Sequence, residues 1–200
     1  KGIFYLEFQD LLSIIKFKLF DTICHEHLEY YSLDIVFKMI KKSNLKLIDV
    51  SKNKINGGSL GLLIAHKDSL YRVNTKNIKT FLDEEKKYKL KSTKTYKELF
   101  SQIIKLKINL KKKLLKFQNQ KKVIHGYGAS TKGNILLQFF ELDNKLISYI
   151  ADRNVKKNNC YTPGTKIKII TEKISRNLKP DYYLVLPWHF KKEILKREIY

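Results

Sequence analysis

The run Gly126-Tyr127-Gly128-Ala129-Ser130-Thr131-Lys132-Gly133-Asn134 constrains the fold more than any other stretch of the chain. Val123 and Ile124 precede it, and Ile135, Leu136 and Leu137 follow it. That arrangement reads as a strand, a glycine-rich turn and the start of a helix. Such a turn presents backbone N–H groups at a helix N-terminus, where an anion is favoured. Lys132 adds a positive charge, and Ser130 and Thr131 add hydroxyls. The expectation is a site for a phosphorylated ligand, against the plainer reading of a tight turn with no ligand. As a dinucleotide fingerprint the run is incomplete: Gly126 and Gly128 are spaced correctly, but the third position falls on Thr131 and Gly133 comes late. Asp152 ends the following strand, where a ribose-binding acid can sit.

Around this run the elements alternate. Residues 123–127 predict a strand, 132–142 a helix, 146–151 a strand, 181–186 a strand and 189–199 a final helix, with a turn at Tyr161-Thr162-Pro163-Gly164-Thr165. Alternating β and α elements imply a parallel sheet, here a compact half-Rossmann unit. Upstream, residues 2–8 read as a buried strand, followed by an irregular region. Ser32 looks like an N-cap for a helix carrying Leu33, Val36, Phe37 and Ile40 on one face. Residues 45–50 and 59–66 read as strands joined by the turn-rich Asn53-Lys54-Ile55-Asn56-Gly57-Gly58, which suits an antiparallel edge of an α/β sheet. Residues 77–122 are helical and polar, with Leu99, Phe100, Ile103, Ile104, Leu106, Leu110 and Leu114 at three- and four-residue steps and a break near Lys91-Ser92-Thr93. The predicted organisation is residues 1–76, a helical linker over 77–122, and a Rossmann-like domain over 123–200.

The formal charge of +22 raises the question of a nucleic-acid partner. Residues 86–122 hold fourteen lysines and one acid, Glu98. Arg, which reads phosphate and guanine by bidentate geometry, is scarce. The lysines read as a solvated helix face and a compositional bias, so nucleic acid is not favoured. No apolar run approaches a membrane span, and the start lacks signal-peptide features. Cys24 and Cys160 give neither a disulfide framework nor a paired metal spacing, and no metal site is assigned. A cytoplasmic setting is expected. The chain does not open on Met, which suggests a fragment or a processed product.

Cys24-His25-Glu26-His27 is the second constellation. Two imidazoles flank a carboxylate, and His is the side chain best suited to base work near neutral pH. An extended segment would point His25 and His27 to one side, while a helical one would separate them. The spacing is wrong for a zinc-binding H-E-x-x-H helix. The plainer alternative is a polar loop with Glu26 paired to a lysine. Tyr30 and Tyr31 suit either a sugar ring or a core, and Trp188 a packing role.

Residues 20–33, Phe-Asp-Thr-Ile-Cys-His-Glu-His-Leu-Glu-Tyr-Tyr-Ser-Leu, resemble the F-D-T-I-Y-H-E-H-L-S-Y-Y-S-L segment of the sugar C-methyltransferases, which act on nucleotide-linked keto-deoxysugars in bacteria. Asn56-Gly57-Gly58-Ser59 is similar to that family's H-G-G-S. The glycine run resembles its G-Y-G-A-x-x-K-G-N. Pro163-Gly164-Thr165 and Leu186-Pro187-Trp188 resemble its P-G-T and L-P-W-N. The segments occur in family order and cover nearly the whole chain. The resemblance implies an α/β fold: the end of an S-adenosylmethionine methyltransferase sheet, a long helical linker, then a small Rossmann-like parallel-sheet domain. It implies the C-terminal portion of a longer enzyme that binds S-adenosylmethionine mostly through residues absent from this chain and is inactive without them. It also implies a dTDP-sugar as substrate.

By matching position, His27 is the expected base, Glu26 orients it or binds the sugar, and His25 is the second candidate. Tyr30, Gly128, Ser130, Lys132, Asn134 and Asp152 are the expected substrate-binding residues, the glycine loop either holding the pyrophosphate or serving the framework. Two positions depart from the family: Cys24 stands for Tyr, and Gly61 for Arg. A stand-alone Rossmann-like module binding a dinucleotide through Gly126, Gly128 and Asp152 is the alternative.

Overall fold

A computed structural model describes residues 2–198, which divide into two compact units. The first comprises residues 2–20 and 26–102. The second comprises 21–25 and 103–198.

In the first unit, β1 (Ile3–Gln9), β2 (Leu45–Asn53) and β3 (Ser59–His66) form an antiparallel sheet in the order β1-β3-β2. Ile3 faces Ala65 and Gln9 faces Ser59 across one edge of β3, while Leu45 faces His66 across the other. The stretch expected to be irregular contains a helix instead, α1 (Leu11–Phe17). Its start is fixed by the Asp10 carboxylate, which accepts the N–H groups of Leu12 and Ser13. Its end is fixed by Lys18 at φ 56. Seven residues are too few to show a helical period, which hides α1 in the sequence.

Helix α2 (Leu33–Lys42) begins at the Ser32 N-cap as predicted and buries Leu33, Val36 and Ile40 against Leu47, Val50, Leu60, Leu62 and Ile64. Each such side chain contributes about 1.5–3 kcal/mol on leaving water. Helix α3 (Thr75–Lys87) adds Ile78 to the same core. The predicted break falls between α3 and α4 (Thr93–Asn119), with Lys89 at φ 49. Residues 93–102 of α4 belong to the first unit and 103–119 to the second. Of its expected apolar positions, Ile103 and Leu114 are buried, whereas Phe100 and Leu106 are exposed.

In the second unit, β4 (Ile124–Tyr127), β5 (Tyr149–Asp152), β6 (Ile169–Thr171) and β7 (Tyr182–Val185) form a wholly parallel sheet in the order β6-β5-β4-β7. Helix α5 (Thr131–Phe139) follows the glycine loop, and α7 (Lys191–Glu198) closes the described chain. Strand β6 and helix α6 (Glu172–Asn177) were not anticipated, because three and six residues carry no readable period. Leu137, Leu142, Ile147, Ile150 and Ile167 are fully buried. The winding direction reverses between β4 and β7, which opens a crevice at their C-terminal ends. The lysine face of α4 is not only solvated: Lys107 and Lys111 both bind Glu141, whose carboxyl they pull down to about 2. No helix among the described residues is long and apolar enough to cross a membrane.

Candidate functional site

Two places gather the predicted residues, one in each unit. In the first unit, Asp10 organises the end of β1. It is almost wholly buried and also accepts the Ser13 hydroxyl at 2.7 Å and Lys52 Nζ at 2.9 Å. Its own N–H donates to the Gly58 carbonyl at 3.1 Å. The turn-rich loop meets it through three successive positive φ values, at Asn56, Gly57 and Gly58. A Cβ at Gly58 would lie 2.5 Å from Ser13 Oγ, so only glycine lets the loop come this close to α1. Gln9 Nε2 donates to the Asn56 carbonyl at 3.1 Å.

The H-E-H segment is neither extended nor helical. It turns at His25–Glu26, and residues 27–31 run without regular structure to the Ser32 cap. Leu11 N–H donates to the Tyr31 carbonyl at 3.2 Å, tying the segment to α1. The His27 ring meets the edge of Tyr30 at 6.4 Å. Glu26, His27, Glu29, Tyr30, Tyr31 and Asn56 line a cavity of about 510 Å³. Glu26 and His27 are exposed. His25 belongs to the 21–25 segment of the second unit. No cluster of three metal-ligating side chains occurs among the described residues.

Sequence reasoning passed over Asp10 and Glu85. Asp10, just ahead of Leu12, is a legible cap signal. Glu85 left none, because it acts across 52 residues: its carboxylate accepts the Leu33 N–H at 2.5 Å and the Asp34 N–H at 2.9 Å. It thereby holds the first turn of α2, directly after the H-E-H segment. Burial pushes the Glu85 carboxyl above the usual carboxylate range, opposed by those two N–H groups.

In the second unit, the glycine loop follows β4, and its donors are largely taken up within the chain. Gly128 N–H donates to the Ala151 carbonyl at 2.7 Å, and Ala129 N–H to Asp152 Oδ2 at 2.7 Å. Gly133 N–H donates to Ser130 Oγ at 3.0 Å. Lys157 Nζ binds the Ala129 carbonyl at 2.6 Å and lies 3.6 Å from Asp152. The glycines answer to packing. A Cβ on Gly128, at φ 89, would fall 2.7 Å from the Pro187 ring, and one on Gly126 would fall 2.3 Å from Ile150 Cδ1. Asn134 Oδ1 is buried and has no hydrogen-bond partner.

Three separate sequence segments meet beside this loop. Trp188 Nε1 donates to the buried Asp21 at 3.0 Å. The His189 imidazole is pushed down by burial and then by the Lys132 charge, while Asp21 opposes. The crevice at the strand ends holds about 520 Å³ and carries Arg153, Lys196 and Arg197 against Asp152, Glu172 and Glu193. Its charge is balanced. Glu198 of α7 accepts the Tyr127 hydroxyl at 2.7 Å and Arg176 at 2.6 Å.

The family described as the C-methyltransferase C-terminal domain matches residues 54–200, and the chain belongs to it. A particular relative is the C-methyltransferase NovU of Streptomyces niveus, 29% identical over 197 residues. That alignment covers 98% of this chain and 47% of the relative, so the chain spans about half the length of the curated protein it matches.

Proposed function

We propose that the chain forms the C-terminal part of an S-adenosylmethionine-dependent C-methyltransferase acting on a nucleotide-linked keto-deoxysugar. The observation that carries this reading is the exposed His27 at the 510 Å³ cavity, beside Glu26, Tyr30 and the Asn56 loop. In this reading, neutral His27 takes the proton from the carbon next to the sugar ketone, and the electron pair moves into an enolate. Glu26 and Glu29 accept sugar hydroxyls or hold the imidazole. Tyr30 lies against the sugar, and His25 is the second candidate base.

A bound S-adenosylmethionine would supply the methyl group that the enolate carbon takes up, with its sulfonium sulfur becoming the departing thioether. This chain's residues do not fit as its cradle. Among the described residues the first unit holds an antiparallel sheet with no glycine turn between parallel strands, and the glycine loop after β4 commits the N–H groups of Gly128, Ala129 and Gly133 to β5, Asp152 and Ser130. The donor is therefore assigned to a region N-terminal to this chain. The 47% coverage of the relative supports that assignment. So does β1, which pairs on one edge only among the described residues and leaves Ile3, Phe4 and Tyr5 about half exposed. Residues 1–76 are then the end of the catalytic domain, 77–122 the linker and 123–200 the Rossmann-like domain. With Gly128 and Asp152 spent on packing and internal bonding, Ser130, Lys132 and Asn134 are the loop's remaining candidates for touching substrate.

The test is methyl transfer from labelled S-adenosylmethionine to a dTDP-4-keto-deoxysugar by the full-length protein. His27→Ala is expected to lower the rate about 10²–10⁴-fold with the fold unchanged. Full activity in that variant would remove His27 as the base.

A further inference from the structure

We propose that the side-chain amide of Asn56 donates a hydrogen bond to the substrate oxygen that turns negative when His27 removes a proton. This role rests on the reaction proposed above and adds to it the group that meets the developing charge. As the carbon loses its proton to His27, the electron pair left behind moves onto the ketone oxygen. A donor already in place beside that oxygen lowers the barrier. The residues lining the His27 cavity include neither lysine nor arginine. Glu26 and Glu29, which do line it, are acceptors when ionised and repel an enolate. The charge therefore falls to a neutral donor.

The lining offers few of these. Gln9 Nε2 already donates to the Asn56 carbonyl at 3.1 Å. Tyr31 packs against the apolar core of the first unit. Tyr30 is turned edge-on to the His27 ring at 6.4 Å. Asn56 is left with its carbonyl engaged and, among the described residues, no partner for its side-chain amide.

The loop also holds Asn56 still. The residue sits at φ 53 and ψ 23, a left-handed conformation that Asn tolerates better than most side chains. Ahead of it, Ile55 N–H donates to Asn53 Oδ1 at 2.9 Å. Behind it, Gly57 N–H donates to the Lys54 carbonyl at 3.2 Å and Gly58 N–H to the Ile55 carbonyl at 2.9 Å. The Ser59 hydroxyl donates to the Ile55 carbonyl at 3.1 Å. These bonds fix the backbone on both sides without using the amide. A donor fixed in advance costs no reorganisation at the moment of reaction.

The test is deuterium uptake from D2O into a dTDP-4-keto-deoxysugar by the full-length protein without S-adenosylmethionine. It reads enolate formation apart from methyl transfer. Asn56→Gly keeps the left-handed backbone and its N–H and removes only the amide. Asn56→Asp keeps the shape and puts a carboxylate in place of the donor. Both are expected to lose about 10²–10³-fold in kcat for exchange, with KM changed less than about threefold and the circular dichroism spectrum unchanged. Exchange at the parent rate in Asn56→Gly overturns the proposal, because a backbone N–H would then suffice. A loss confined to KM also overturns it, since that is ground-state binding. So does a larger loss in Tyr30→Phe than in Asn56→Gly, which moves the donor to the tyrosine. A parent protein that neither exchanges nor methylates removes the reaction itself, and Asn56 with it. Parent exchange that vanishes in His27→Ala but survives in Asn56→Gly keeps the reaction and removes Asn56 alone.

Discussion

The Asp152 carboxylate accepts the Ala129 N–H at 2.7 Å, so the end of β5 supplies the anion that the glycine loop would otherwise seek from a ligand. Asp152 Oδ1 also takes the Asn154 N–H at 2.7 Å, and Lys157 sits alongside. These internal bonds and the adjacent Lys157 leave Asp152 less acceptor capacity for a ribose. Titration of the chain with NAD is therefore expected to show no binding, and micromolar binding would revive the stand-alone dinucleotide module. Asp152→Ala should cost about 1.5–3 kcal/mol in urea unfolding, the range for a hydrogen bond to a charged group. Asp152→Asn, which keeps an oxygen acceptor, should cost less.

Gly128 and Gly61 separate rigid from yielding neighbours. Gly128→Ala places a Cβ at φ 89 and 2.7 Å from a proline ring, so the backbone must move. The expected cost is about 1–3 kcal/mol. At Gly61 the obstacle is Tyr5 Oη at 2.2 Å, the far end of a half-exposed side chain that can swing away. Gly61→Ala should stay within about 1 kcal/mol of the parent. Equal melting temperatures for the two variants would contradict this account.

Glu85 gives a pH dependence of defined sign. Its carboxyl is raised above its ordinary value, chiefly by burial. The native state thus holds the proton more tightly than the unfolded chain does. The contribution is fully present below the unfolded carboxylate value, about 4.3, and is lost as pH rises through the elevated native value. Unfolding free energy measured across that interval should fall with pH in the parent and less steeply in Glu85→Gln. An identical slope in both proteins would assign the effect to another group.

Trp188→Phe removes the indole N–H from Asp21, a carboxylate that is 2% exposed. The expected loss is about 1–3 kcal/mol. A double-mutant cycle with Asp21→Asn should show coupling, because the indole has less to lose when its acceptor is uncharged. Additive changes would mean that Trp188 acts by packing alone.

Some of the architecture was legible because its cause is local. The Ser32 cap, the strand before Gly126, the parallel alternation after it and the break ahead of Thr93 all follow from a residue and its near neighbours. Helix α1, strand β6 and helix α6 were missed because each is shorter than the period that would reveal it. The candidate site was legible as chemistry but not as geometry. His25, Glu26 and His27 could be named, yet the turn that separates extended from helical readings depends on packing beyond the segment.

The sequence by itself determined the family, through short segments in a fixed order, and the α/β alternation, through hydrophobic spacing. Only the tertiary structure decided what the glycine loop is occupied with. The anion at its Ala129 N–H is Asp152, 23 residues away, and the ring against Gly128 is Pro187, further still. Only folding, likewise, set Glu85 on the first turn of α2. Hydrogen bonds and charge reach a few ångströms in space whatever their separation along the chain, so residue spacing carries no record of those partners.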